Sequence, residues 1–120
     1  MVNLDQLGST LAPLKAGHPN YLLMLSEPGA SRQRAEAVNR ARNLDLELAY
    51  DYYGSKDFTK LFYRRISDQS PFLEKGIPAV MFTSGITLNN NKPYDDAASL
   101  DYAMLTRRIR LIFYFLDKVL

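Results

Sequence analysis

Tyr21-Leu22-Leu23-Met24-Leu25 runs through five apolar residues without a polar break. A strand so composed has no face to offer water, so both of its sides must be covered, which in a chain of this length means helices laid on a sheet. Ile77-Pro78-Ala79-Val80-Met81-Phe82-Thr83 is the clearest strand of the sequence and repeats the demand. Other segments supply the cover. Ser31 is placed to cap a helix in which Ala35, Val38 and Ala41 recur at helical spacing, with Arg32, Arg34, Arg40 and Arg42 mostly around the other face. Near the end, Leu105, Ile109, Ile112, Leu116 and Val119 form one apolar stripe behind a Ser99 cap, and Met104, Leu111 and Phe115 widen it, so this helix is expected to be buried on more than one side.

Shorter elements lie between. Residues 1–7 predict a short strand ending at a turn on Gly8, and residues 46–53 alternate as a strand closed by Gly54. Residues 56–63 fit a short helix. Ser70-Pro71 followed by Phe72-Leu73-Glu74-Lys75-Gly76 supplies an N-cap, a proline at the first helical position and a glycine stop. Residues 84–98 are a polar loop holding Asn89-Asn90-Asn91. The order β, β, α, β, short α, β, α predicts a three-layer α/β domain with helices on the faces of a mixed sheet, spanning residues 1–120 without internal repeat or linker.

Composition narrows the chemistry. The 120 residues include no Cys, no Trp and one His, His18. Without thiols there are no disulfide scaffolds, thiolate metal sites or cysteine nucleophiles. With a single imidazole in a Gly17/Pro19 turn, Ser-His systems and most zinc hydrolase sites are out of reach of this chain alone. Hydrophobic residues make up 47%, and eight Tyr and six Phe supply aromatic core. The formal charge of +2 is too small an excess to argue for nucleic acid or an anionic membrane. The longest apolar run, residues 111–116, is far short of the roughly 20 residues that span a bilayer. Residues 1–5 lack the basic start and apolar centre of a signal peptide, and the compartment is left open.

Read residue by residue, the acidic groups placed to do chemistry are Asp5 near the end of the first strand, Asp68 before the Ser-Pro helix, and Asp95-Asp96 in the loop after the clearest strand, because ligands of open α/β sheets gather at strand ends. Each has a plainer reading. Asp68 beside Ser67 and Ser70 reads first as a turn or cap residue, and Asp95-Asp96 as an Asx turn before a ligand pair. His18 fits an exposed loop. Arg107-Arg108, Arg110 and Arg64-Arg65 fit solvated faces or carboxylate partners. No serine sits in a nucleophile elbow and no glycine loop forms a phosphate cradle.

Asn3-Leu4-Asp5-Gln6-Leu7-Gly8 resembles the NLDMxG strand of the co-catalytic di-zinc aminopeptidases, a family that includes bacterial leucyl aminopeptidases, with glutaminyl cyclases as relatives. Leu61-Phe62-Tyr63-Arg64, then Ser67-Asp68-Gln69-Ser70-Pro71-Phe72 through Gly76-Ile77-Pro78 to Phe82, resembles the family's SDHxPFxxxGIPxxxF segment. Residues 85–96 match in length the loop written GxHxxYHxPxDT, and Leu100-Asp101-Tyr102 resembles the IDY that opens the last helix. The resemblance implies the second half of a catalytic domain with a zinc-exopeptidase fold, in a family often exported. It places Asp5 at the family's carboxylate ligand to one zinc.

The same resemblance implies an incomplete centre. In the family the first half supplies a metal-binding His, the Asp bridging the two zincs, and adjacent glutamates serving as base and ligand; none is found here. Gln69 stands where the SDH histidine would be, Asn90 where the loop tyrosine would be, and Asn91 where the final histidine ligand would be. A carboxamide oxygen is a much weaker zinc donor than imidazole. The expectation is therefore an aminopeptidase-like fragment or degenerate homologue, inactive alone and without zinc of its own. A second reading is a non-catalytic module that keeps the cleft, lined by Asp68, Gln69, Asn90, Asn91 and Asp95, for a peptide ligand. A third is a small enzyme using Asp68 and Asp95 as an acid–base pair. An unpaired sheet edge and uncovered apolar surface predict self-association or pairing with an upstream peptidase half.

Overall fold

A computed structural model describes residues 1–85 and 97–119, apart from the side chains of Ser99 and Val119. Strands β1 (Val2–Leu4), β2 (Tyr21–Leu25), β3 (Glu47–Ala49) and β4 (Val80–Thr83) lie side by side in the order β1-β4-β2-β3. The pairs β1/β4 and β2/β3 are parallel, and β2/β4 is antiparallel, with Met24 opposite Phe82. This α/β sheet is mixed, and its two central strands are the two apolar runs. All five β2 residues are buried, as are all four of β4.

Alternation along these strands divides their side chains between two cores. On one face Leu22, Met24, Val80 and Phe82 meet α1 (Ala30–Ala41) and α4 (Tyr102–Val119) through Ala35, Val38, Leu111, Ile112 and Phe115. On the other, Leu25 and Met81 meet Phe62, Tyr63 and Leu73. That second cover is built from α2 (Lys56–Leu61), a π-helical turn at Phe62–Ile66, and α3 (Ser70–Glu74).

Several boundaries differ from expectation, each for a local reason. β1 stops at Leu4 because Gln6 takes φ 58°, outside the extended region. The alternating stretch 46–53 pairs only over Glu47–Ala49, since Tyr53 turns the chain at φ 52°. β4 begins at Val80, leaving Ile77 exposed. Ser31 does not cap α1: the helix starts one residue earlier, with Gly29 at φ 127° in the N-cap position. Ser70 does not cap α3 either, because its hydroxyl donates backward to the Arg64 carbonyl at 2.6 Å while Gln69 holds the N-cap position. Ser99 lies in a separate 3-10 turn, and Asp101 caps α4, its Oδ1 accepting from Met104 N–H at 2.9 Å.

The buried stripe of α4 is rotated from its predicted centre. Met104, Arg108, Leu111, Ile112 and Phe115 face inward, whereas Ile109 is half exposed. Arg108 is the cause. Its side chain, expected on a solvated face, is wholly buried: Nε donates to Tyr21 O at 2.9 Å, Nη1 to Leu7 O and Ser9 O at 2.7 Å each, and Nη2 to Pro19 O at 3.3 Å. The guanidinium also lies 4.8 Å from the Tyr21 ring centre. The Leu7, Ser9 and Pro19 carbonyls belong to a loop with no sheet partner, and burial without a donor would cost each of them about 1–3 kcal/mol. Arg108→Met should therefore lower stability by about 3 kcal/mol or more in urea denaturation, whereas exposed Arg110→Met should stay within about 0.5 kcal/mol.

Candidate functional site

β1 carries Asn3 toward the π-helical turn and its flanking apolar residues, Val2 and Leu4, toward the α4 side. Asn3 is buried, and its Nδ2 donates to Ser67 Oγ at 3.0 Å and to Gln69 Oε1 at 2.9 Å. Ser67 Oγ donates in turn to Asp5 Oδ2 at 3.3 Å. Gln69 has no solvent exposure, and its Nε2 donates to Tyr63 O at 2.8 Å. Two pairs of polar side chains, more than sixty residues apart in the chain, thus form one connected network at the carboxyl end of β1.

Local structure explains how they meet. The π-helical turn ends at Ser67, where the backbone opens to an extended conformation and directs Ser67 and Gln69 back at β1. Wider helical turns of this kind recur at functional sites. Tyr63, within that turn, donates its hydroxyl to Ala79 O at 2.6 Å and ties the turn to the entry of β4. Burial raises the Tyr63 phenol above its ordinary value, and burial does the same to Tyr21 beneath Arg108. At the carboxyl end of β4, Ser84 N–H and Oγ both donate to Gln6 O, with the N–H bond at 2.8 Å. Gly85, at φ 87°, leaves room for the Tyr53 hydroxyl, which donates to Ala12 O at 2.6 Å.

Of the predicted site residues, Asp5 is half-buried inside the network and Gln69 is at its centre. Asp68 lies between Ser67 and Gln69 in the turn but is exposed, and no side chain caps α3. Asn90, Asn91, Asp95 and Asp96 lie outside the described residues. His18 is exposed, with Nδ1 2.7 Å from Glu47 Oε1, on the β3 side of the sheet. Sequence reasoning did not single out Asn3 or Ser67 by themselves. The available signal was Asn3 as a polar residue between Val2 and Leu4 in a strand, a pattern that asks for a buried partner.

Zinc does not fit the described donors. The Asp5 carboxylate accepts from the Ser67 hydroxyl, a poor zinc donor, and the Gln69 oxygen already accepts from Asn3. Among the described residues no three His, Cys, Asp or Glu side chains converge as a metal-ligating group. What the arrangement can do is hold a carboxylate at a strand end, oriented by a neutral network whose own buried polar atoms are satisfied. No protein-family model, curated protein or solved structure matches this chain.

Gln69→Leu should cost about 2–3 kcal/mol in urea denaturation, because it strands the Asn3 amide and the Tyr63 carbonyl in a buried setting. Asp68→Asn, one residue away and exposed, should be neutral within about 0.5 kcal/mol. Since Tyr21 and Tyr63 are raised in the folded state, the stability they contribute is intact below about pH 10 and lost as pH climbs beyond it. The urea midpoint should hold level to about pH 9 and fall steadily above about pH 10.

Proposed function

We propose that this chain is an aminopeptidase-like module, corresponding to the second half of a co-catalytic di-zinc aminopeptidase domain and without peptidase activity on its own. The supporting observation is the meeting of the two family-like segments: Asn3 and Asp5 from the NLD strand join Ser67 and Gln69 from the SDQ turn in one network. On this reading Asp5 keeps the place of a zinc-ligating carboxylate, and Gln69 has been absorbed into the wall behind it. In a complete centre the chemistry would be zinc-activated water attacking an amino-terminal peptide bond.

A second reading is a non-catalytic module that holds a peptide in the former cleft, with Gln69 shaping the wall from behind, since it has no solvent exposure. Gln69 is engaged at both ends, as a structural amide would be. Both readings call for a partner at β1. Asp5 N–H and Met1 O bond inward to β4, so in a parallel ladder Val2 and Leu4 turn their backbone groups to the outer edge. Leu4 adds an exposed apolar side chain there. A strand from an upstream peptidase half, or a second copy, would complete that edge.

Purified protein supplied with zinc should bind it only substoichiometrically and leave a leucyl chromogenic substrate intact; stoichiometric zinc with turnover would overturn the proposal. Mixing with an upstream half from a family member separates the two readings, since restored turnover indicates a split enzyme and an inactive complex indicates a binding module. Alone, the protein should self-associate at micromolar concentrations in sedimentation velocity, and Leu4→Lys should shift it toward monomer. A wild-type chain that stays monomeric throughout would remove the β1 edge from the account.

A further inference from the structure

The near-neutral charge of the whole chain conceals a separation. α1 with its terminal Arg42, together with α4, holds eight of the 15 Lys and Arg but only two of the 13 acids, so these helices carry +6 and the remainder −4. Arg108 is buried, Arg107 faces Asp45 and its neighbouring carbonyls, and Arg32 donates to Ser26, whereas Arg34, Arg42 and Lys118 line a groove and Arg40 and Arg110 are exposed. The groove lies between α1 and α4 and encloses about 360 Å³, with Ala37 and Ala41 on one side and Tyr114 on the other, flanked by Arg34, Arg42 and Lys118.

The two arginines are held in place. Arg42 stacks with its guanidinium 3.7 Å from the Tyr114 ring centre, and Arg34 lies 5.8 Å from that of Phe115. Stacking covers a face of the guanidinium while leaving its N–H edge free for a planar carboxylate, and it removes much of the entropy that a free side chain would lose on binding. Among the described residues neither arginine nor Lys118 forms an ion pair. The Phe113 ring meets Tyr114 edge-on at 5.2 Å and is 62% exposed, extending an apolar wall beyond the groove.

We propose that the α1–α4 groove docks an acidic helix of a partner protein, whose carboxylates pair with Arg34, Arg42 and Lys118 and whose apolar face packs on Ala37, Ala41 and Phe113. Charge complementarity selects an acidic partner. The floor selects a protein over a polyphosphate or an anionic bilayer, because Ala37 and Ala41 leave an apolar strip between the cations that a partner's side chains can fill. This surface lies on the helical layer and does not depend on the role assigned to Asp5 and Gln69.

The test is an NMR titration of the full chain with a synthetic helical peptide carrying Glu on one face and Leu on the other. Expected is saturable binding with shifts confined to α1 and α4, weakened about tenfold by Lys118→Glu and by Arg42→Glu, with circular dichroism confirming the fold. A matched peptide with Lys for Glu should fail on the wild type and gain affinity for the Lys118→Glu chain. The proposal is overturned if the acidic peptide shows no saturable binding, or binds both variants as it binds the wild type. It is equally overturned if phosphatidylserine vesicles or a single-stranded RNA oligonucleotide occupy the groove more tightly than the peptide.

Discussion

Arg108 is the point on which the rest of the structure turns. A guanidinium without solvent contact is ordinarily matched by a carboxylate; here it is satisfied by the carbonyls of Leu7, Ser9, Pro19 and Tyr21. The first three lie in the long irregular connection between β1 and β2, which has no ladder of its own, and Tyr21 opens β2. A side chain from the last helix thereby supplies hydrogen bonds that a sheet or helix would have supplied locally. Tyr21 extends the arrangement by donating from its hydroxyl to Ser84 O at 2.8 Å, so that β2, β4 and the connection are joined at one end of the sheet. Burial lowers the Arg108 pKa from its free value, and the four carbonyls and the Tyr21 ring offset that cost of desolvation.

The polar network past β1 rests on this frame. Asp101 N–H donates to Gly8 O at 2.9 Å, anchoring the same connection to the start of α4, so the direction in which β1 delivers Asn3 and Asp5 is set from both sides. Opposite them, the π-helical turn presents Ser67 and Gln69. The two halves of the site are therefore placed by different devices, a buried cation on one and a widened helical turn on the other. The second device is local to the residues it positions, whereas the first acts from the far end of the chain.

Legibility in the sequence follows the range of the forces involved. The unbroken apolar runs of β2 and β4 were readable because burial of both faces leaves a mark on every residue. The glycine stop after α3 was readable too, with Gly76 at φ 74°. Helix starts were not, because a hydroxyl beside a helix has several acceptors to choose from: Ser70 turns to Arg64 O, and Asp101 caps α4 in place of Ser99. In the site, Asp5 and Gln69 could be singled out from their own segments of the sequence. The bonds from Asn3 to Gln69 and Ser67, and from Ser67 to Asp5, could not, since nothing in a linear pattern tells which buried amide will meet which.

By itself, then, the sequence determined an α/β layering, the two strands at the centre of the sheet, and the exclusion of thiol and multi-histidine chemistry from this chain. Those properties follow from residue counts and short-range periodicity. Only the tertiary structure decided the strand order, the burial of Arg108 among four carbonyls, and the segregation of a +6 helical layer from a −4 remainder. The physical reason is common to all three. Each depends on which distant segments share a surface, and a near-zero sum of charges or a run of arginines reads the same whether its members are clustered, scattered or buried.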